Sequence, residues 1–166
     1  MAETTYFWHE APVPADLPIV QVYGYLLCPE TARVLIQEYH DEFNLPGGGP
    51  EPEDAGVAAT LVREAMEESQ VVVVDPVYLG YQEVHEPSRA PYAQVRMTGL
   101  IAEFAERYPD PDGGRLRRRL MTSLADAPAI LGWGEPAVAQ AKATARVAEQ
   151  AWRLPVDSPA PAGYVD

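Results

Sequence analysis

A chain of 166 residues, 47% of them hydrophobic, is long enough to fill one core and short for two, so a single domain is expected. Its formal net charge of −13 and isoelectric point near 4.5 exclude a general binder of nucleic acid or anionic membrane, which needs a basic face to neutralise phosphates. The one cysteine, Cys28, allows no intrachain disulfide and predicts a reducing compartment, with a buried, inert thiol in the apolar run VYGYLLCPE.

Residues 1–17 carry no basic leader and no apolar stretch of signal-peptide length, and read as an N-terminal extension of a soluble, cytoplasmic protein. Nothing downstream approaches the ~18 apolar residues of a spanning helix, because the run VVVV at 71–74 is cut by Asp75 and Pro76. The β-branched runs IVQVYGYLL (19–27) and RVLIQ (33–37), separated by CPETA with its Pro29, predict a hairpin. Three glycines and three prolines in FNLPGGGPEPED (43–54) predict a rigid, irregular loop with positive-φ positions, where backbone can approach a ligand closely. A helix follows, with Asp54 as its N-cap and Ala58, Leu61, Val62, Ala65 and Met66 on one apolar stripe.

Strands are predicted at 71–74, 77–84 and 93–104, then a turn at YPDPDGG and a stretch RLRRRLMTSLADAPAILGWG with no clear period. A second helix is expected over 136–152, with Pro136 in its first turn. The tail PVDSPAPAGYVD is too rich in Pro, Ala and Gly to pack unaided, so residues 18–152 read as the domain and 153–166 as an extended or disordered tail.

Within LVREAMEESQ (61–70), Glu64, Glu67 and Glu68 share the helix face opposite the apolar stripe. Crowded carboxylates raise one another's pKa and weaken a helix unless a cation lies between them. A divalent cation relieves the repulsion most simply, and an oxygen-only donor set suits Mg²⁺ or Mn²⁺, with the preceding glycine loop supplying carbonyls to metal or N–H groups to phosphate. The plain alternative is a solvated acidic face. Arg63, four residues before Glu67, is placed to contact it in either case.

The stretch GGGPEPEDAGVAATLVREAMEESQV, residues 47–71, together with the preceding LPGG, resembles a Nudix box. Arg63, Glu64, Ala65, Glu67, Glu68 and Val71 match its second half. Counting from Gly48 places Asp54 where the box has Glu, with one extra residue before Arg63, and Gln70 replaces a glycine that ends the helix with positive φ, at a cost of about 1 kcal/mol. The resemblance implies an α/β/α sandwich with a mixed sheet. It also implies a Mg²⁺-dependent hydrolase, with Mn²⁺ as a substitute, that cleaves a nucleoside diphosphate derivative by metal-activated water attack at phosphorus. Glu64, Glu68, Glu67 and the carbonyl of Gly47 would be the ligands, Arg63 would orient Glu64, and Asp54 would brace Arg63. A carboxylate from outside the box is commonly recruited in such enzymes; Glu103 and Glu106 are the candidates here, with Glu83 and Glu86 behind them.

Other side chains are weighed against plainer roles. RLRRR (115–119) reads as a solvated face or, alternatively, a grip on a distal phosphate. His85 reads as a surface histidine. Phe43, Tyr78, Tyr81 and Tyr92 are candidates to stack on a base or, more commonly, to pack. Trp8, Trp133 and Trp152 read as packing residues, available to a homodimer contact. Pro87, sixteen residues past Val71, resembles a feature of ADP-ribose hydrolases and leaves (d)NTPs and nucleotide sugars open. A non-catalytic Nudix-fold nucleotide sensor is the competing function, and an enzyme acting on a diphosphate without a nucleoside is a third.

Overall fold

The computed structural model describes residues 2–159 and 161–166 and places one mixed sheet between helical layers. Strands β1 (Thr5–His9), β2 (Ile19–Leu27), β3 (Val34–Tyr39), β4 (Glu42–Asn44) and β5 (Gly47–Gly48) precede helix α1 (Val57–Ser69). Strands β6 (Val71–His85), β7 (Tyr92–Phe104) and β8 (Arg118–Thr122), helices α2 (Ala127–Leu131) and α3 (Glu135–Trp152), and strand β9 (Gly163–Val165) complete the order. The sheet runs β1-β6-β7-β2-β3-β8-β9, with β4 added to β3 and β5 to β2; β2 and β7 are parallel and the other pairs antiparallel. Among the described residues no helix is long and apolar enough to cross a membrane.

Alternation along the central strands separates two cores. Val22 and Leu26 of β2, Val95 and Met97 of β7 and Leu61 and Ala65 of α1 fill one. Tyr25 and Leu27 of β2, Leu131 of α2 and Ala143 and Ala148 of α3 fill the other. Each fully buried leucine contributes about 2 kcal/mol. Helix α1 seats unusually close to β2: a Cβ on Gly24 would lie 2.6 Å from Cδ1 of Leu61, so glycine there sets the helix-to-sheet distance.

Several expectations are refined. β2 and β3 do form an antiparallel pair at Leu27 and Val34, but they diverge, leaving β2 free to pair with β5 at Val22 and Tyr23. The loop expected to lack regular structure therefore contains two short strands, β4 and β5. The two strands expected at 71–74 and 77–84 are one long strand, β6, whose register shifts between Val74 and Val77, where Asp75 takes φ 51° before Pro76. Residues expected to precede and follow the domain enter the sheet: β1 pairs with β6 from Thr5 to His9, and β9 pairs with β8. Cys28 is half-buried rather than buried, with Sγ 3.9 Å from a Glu30 oxygen.

Asp54 does not cap α1. Gly56 is the N-cap, and no side chain caps the helix, because both carboxylate oxygens of Asp54 are committed to Arg63. At the other end Gln70 adopts the left-handed conformation (φ 50°, ψ 49°) anticipated for the replaced glycine. Its side chain ties that turn down: Nε2 donates to the carbonyl of Glu67 and Oε1 accepts from Nε of Arg107.

Candidate active site

Strand β5 runs against the carboxylate face of α1, and at Gly47 only glycine fits. A Cβ on Gly47 would lie 2.1 Å from the Val22 carbonyl oxygen, and one on Gly48 would lie 2.5 Å from the Glu64 carboxylate. The tight approach lets Gly47 N–H donate to Oε1 of Glu68 at 2.7 Å. Oε2 of Glu68 accepts from Nε2 of Gln37 at 3.1 Å, and Nη2 of Arg117 lies 3.3 Å from the same oxygen. Gln37 is itself fixed by a bond from Ser69 Oγ, so neighbours on the sheet, the loop and the helix orient this carboxylate together. Burial pushes the Glu68 carboxyl up to about 7, against the lowering effects of Gly47 N–H, Arg117 and Gln37.

Arg63 organises the rest. Nε and Nη2 donate to the two oxygens of Asp54 at 3.1 and 2.9 Å, a bidentate fork. Nη1 donates to Glu64 and Glu67 at 3.0 and 3.3 Å, Nη2 also donates to the Gly49 carbonyl, and Glu51 stands 3.4 Å away. The Arg63 hydrogen bond holds the Asp54 carboxyl far below its usual range, assisted by the Glu51 N–H and Thr60 hydroxyl. Glu64 remains above its ordinary value because burial outweighs Arg63, with Glu67 and Asp110 adding repulsion.

Arg117 comes from the RLRRR run, which is not a uniformly solvated face. Its guanidinium bridges Glu68 and Asp110, donating to Asp110 Oδ2 at 2.7 Å. Arg119, 1% exposed, donates to the carbonyls of Ser69, Gln70 and Ala105 and so holds the end of α1 against the sheet. Arg115 and Arg118 lie over the rings of Tyr39 and Tyr164.

The expected residues therefore fall into two groups. Arg63, Glu64, Glu67, Glu68 and Gly47 come together, and Asp54 joins them as the brace of Arg63. Glu103 and Glu106 are exposed and, among the described residues, enter no ion pair with that group; buried Asp110 is the carboxylate brought in from outside the box. Glu83 lies between His9 and His85, and Glu86 accepts from the Tyr92 hydroxyl. Tyr81 and Tyr92 are buried, the Tyr78 hydroxyl bonds the Ala11 carbonyl, and Phe43 and Trp133 border a cavity on the other face of the sheet.

Among the described residues no three His, Cys, Asp or Glu side chains form a ready-made cation cage, because Arg63 and Arg117 occupy the space between the carboxylates. The donor chemistry nevertheless fits a hard cation. Two carboxylates, both raised by burial, face the same glycine strand with only oxygen donors, and each gains from a cation in place of a proton.

The family model described as NUDIX domain matches residues 18–139, well over half of the chain, and the chain belongs to the Nudix hydrolase family. The NUDIX hydrolase of Nitrosomonas europaea is 21% identical, with 87% of this chain and 97% of that one covered at a TM-score of 0.56. MutT of Aliivibrio salmonicida and Vibrio cholerae is 17% identical, covering 76% and 94% at 0.52. The pyrophosphohydrolase BsRppH of Bacillus subtilis is 20% identical, covering 63% and 64% at 0.53, so the chain spans about 64% of that protein's length. These likenesses show the Nudix fold. No curated protein matches the chain. Members of the family generally use a divalent metal.

Proposed function

We propose that this protein is a Mg²⁺-dependent hydrolase, with Mn²⁺ as a substitute, that cleaves the diphosphate linkage of a nucleoside diphosphate derivative. ADP-ribose-like compounds, nucleotide sugars and (d)NTPs are its candidate substrates. The observation that carries this reading is the convergence of Glu64 and Glu68 on Gly47–Gly48, with Arg63 and Arg117 supplying the positive charge that the carboxylates demand. Glu64, Glu67, Glu68 and the Gly47 carbonyl would hold the cation. When bound, it would neutralise phosphate charge and lower the pKa of a nucleophilic water.

The protein's own residues divide the remaining work. Asp54 locks the Arg63 fork, which sets the rotamers of Glu64 and Glu67. Among the three glutamates Glu67 is the most open, its side chain 30% exposed against 16% and 10% for Glu64 and Glu68. Its Oε2 is held by Arg63, so Oε1 is the oxygen it would offer to the cation. Asp110 braces Arg117, leaving that guanidinium beside Glu68 to meet a phosphate oxygen.

Product release from a panel of ADP-ribose, nucleotide sugars and (d)NTPs, with and without Mg²⁺, tests the reading. Turnover that needs the cation and drops by more than about a hundredfold in Glu68→Gln is expected. A nucleotide that raises the melting temperature without being turned over would instead identify a non-catalytic nucleotide sensor.

A further inference from the structure

Glu68 meets three donors, and they are not equally fixed. Gly47 N–H belongs to the backbone of β5 and donates to Oε1 at 2.7 Å. Gln37, 3% exposed on β3, donates to Oε2 and is held in turn by the Ser69 hydroxyl. Arg117 is the third, on a long side chain from the loop before β8. Its Nη2 stands 3.3 Å from Oε2, whereas its Nη1 donates to Asp110 Oδ2 at 2.7 Å. The guanidinium thus grips Asp110 and leans on Glu68. Arg63, the other cation between the carboxylates, has no such latitude, because both oxygens of Asp54 and the carbonyl of Gly49 lock it.

Asp110 lies in the loop 105–117, which joins β7 to β8. The tip of this loop is self-contained: Asp110 N–H donates to the Arg115 carbonyl, Gly114 N–H to the Asp110 carbonyl, and Asp112 N–H to Asp110 Oδ1. Residues 111–116 are exposed. The base of the loop is tied to the end of α1 by Ala105 N–H and Arg107 on Gln70 and by the Tyr108 hydroxyl on the Met66 carbonyl. Among the described residues no hydrogen bond or ion pair joins 109–116 to α1 directly; Asp110 reaches the helix through Arg117 and its ion pair with Glu68.

We propose that Arg117 is a resident counter-ion of the cation site: it pairs with Glu68 in the cation-free protein, yields that carboxylate to a divalent cation, and frees the tip of the 105–117 loop as it leaves. The inference rests on the cation site proposed above and adds its regulation. Arg117 loses its reason to stay once Glu64 and Glu68 take up a dication, because the anion that held it is neutralised and like charge stands beside it. Its departure strands no charge, since Asp110, 5% exposed, keeps the guanidinium paired throughout. Two consequences follow from this exchange. Arg117 weakens cation binding, because each binding event must displace it. The nitrogen it withdraws from Glu68 becomes available to a phosphate oxygen only when the cation is in place, which couples the two.

Calorimetric titration with Mg²⁺, together with hydrogen exchange of the loop amides, tests the proposal without requiring turnover. Arg117→Met is expected to bind Mg²⁺ about tenfold more tightly than the wild type. Arg115→Met makes the same change in net charge at an exposed position over Tyr39 and should change the affinity by less than about twofold. In the wild type Mg²⁺ should speed exchange of the amides at 109–116 at least threefold. Metal-free Glu68→Gln, which removes the charge that Arg117 pairs with, should show the fast loop from the start and no further response to Mg²⁺. Should Arg117→Met not fold in thermal melts, the exchange comparison of wild type with Glu68→Gln decides alone. Equal Mg²⁺ affinities in wild type and Arg117→Met would overturn the proposal and leave the cation site standing. So would a wild-type loop that Mg²⁺ leaves unchanged or protects, because tighter binding without release is a field effect and not displacement. Failure of both proteins to bind Mg²⁺ would sink the cation site and the counter-ion with it. A loop that responds to Mg²⁺ in a protein that turns over no nucleotide would keep the role of Arg117 and sink the hydrolase.

Discussion

On the α1 face of the sheet six carboxylates, Glu51, Asp54, Glu64, Glu67, Glu68 and Asp110, crowd around two guanidiniums, those of Arg63 and Arg117. On the α2/α3 face the guanidinium of Arg96 lies among amides and rings with, among the described residues, no carboxylate paired to it. Neither arrangement balances internally, and buried charge that is not balanced is expensive. The excess of carboxylates on the first face is the imbalance that the proposed cation would relieve.

Breaking the first arrangement at its backbone has the largest expected effect. Gly47→Ala forces a Cβ to within 2.1 Å of the Val22 carbonyl, so β5 must leave β2 and the Gly47–Glu68 bond is lost. A destabilisation of about 3 kcal/mol or more is expected by chemical denaturation, together with loss of turnover. If Gly47→Ala is instead as stable and active as the wild type, β5 does not form the tight strand that the proposed site requires.

Next in size is the pH dependence of the metal-free protein. Glu68 has a folded pKa of about 7, above its ordinary value, so between about 4.5 and 7 the folded state binds more protons than the unfolded state. Stability therefore falls as pH rises through that window, by up to about 3 kcal/mol. Asp54 acts oppositely: its depressed pKa contributes stability that is present above its unfolded value and lost only as acid overtakes it, below about pH 4. The melting temperature of metal-free protein should decline from pH 5 to pH 8, Mg²⁺ should restore it most at the alkaline end, and Glu68→Gln should flatten the slope. A flat profile in the wild type would show that Glu68 ionises without penalty and that the α1 face does not wait for a cation.

A smaller effect separates the candidate outer carboxylates. Asp110→Asn removes the anion that holds Arg117 beside Glu68, and about a tenfold fall in kcat/KM with a loss of about 1–2 kcal/mol is expected. Glu103→Gln and Glu106→Gln alter exposed side chains and should change stability by less than about 0.5 kcal/mol. Steady-state kinetics on the three variants shows which carboxylate the reaction uses; a Glu103→Gln or Glu106→Gln defect larger than that of Asp110→Asn would return the role to the exposed acids.

What was legible in the sequence follows the same division. The box was readable because its meaning is local: Glu64, Glu67 and Glu68 share a face by helical spacing, and the glycines precede them by a fixed distance. Arg63 could be assigned to Glu67 for the same reason. Arg117, Asp110 and Gln37 could not, because the loop before β8, which carries the first two, and β3 reach the helix only through sheet pairing. The run RLRRR looked like a solvated face because nothing in its composition reveals that Arg117 turns toward the carboxylates of Glu68 and Asp110 and Arg119 toward buried carbonyls. Arg96, the sole cation in a strand otherwise suited to packing, carried no pattern that distinguishes an arginine held by amides and rings from an ion-paired one. The N-terminal and C-terminal strands were missed because each takes its hydrogen bonds from a distant edge, while local composition argued for extension.

The smallest predicted effect concerns Gln70, where two opposing terms must be compared. Gln70→Gly relieves the left-handed strain at φ 50°, which gains about 1 kcal/mol. It also removes the bond from Nε2 to the Glu67 carbonyl and the acceptor of Arg107 Nε, each worth about 1 kcal/mol net. The losses outweigh the gain, and a net destabilisation of about 1 kcal/mol is expected from urea denaturation midpoints. Gln70→Asn tolerates the same backbone but its shorter side chain loses the reach to Arg107, so it should fall between the wild type and Gln70→Gly. In an Arg107→Ala background the acceptor has no partner left, and Gln70→Gly should then cost almost nothing; an undiminished cost there would mean that Gln70 acts through its own turn alone. The glutamine would then steady the carboxylate helix from its end without drawing on the arginines beyond it.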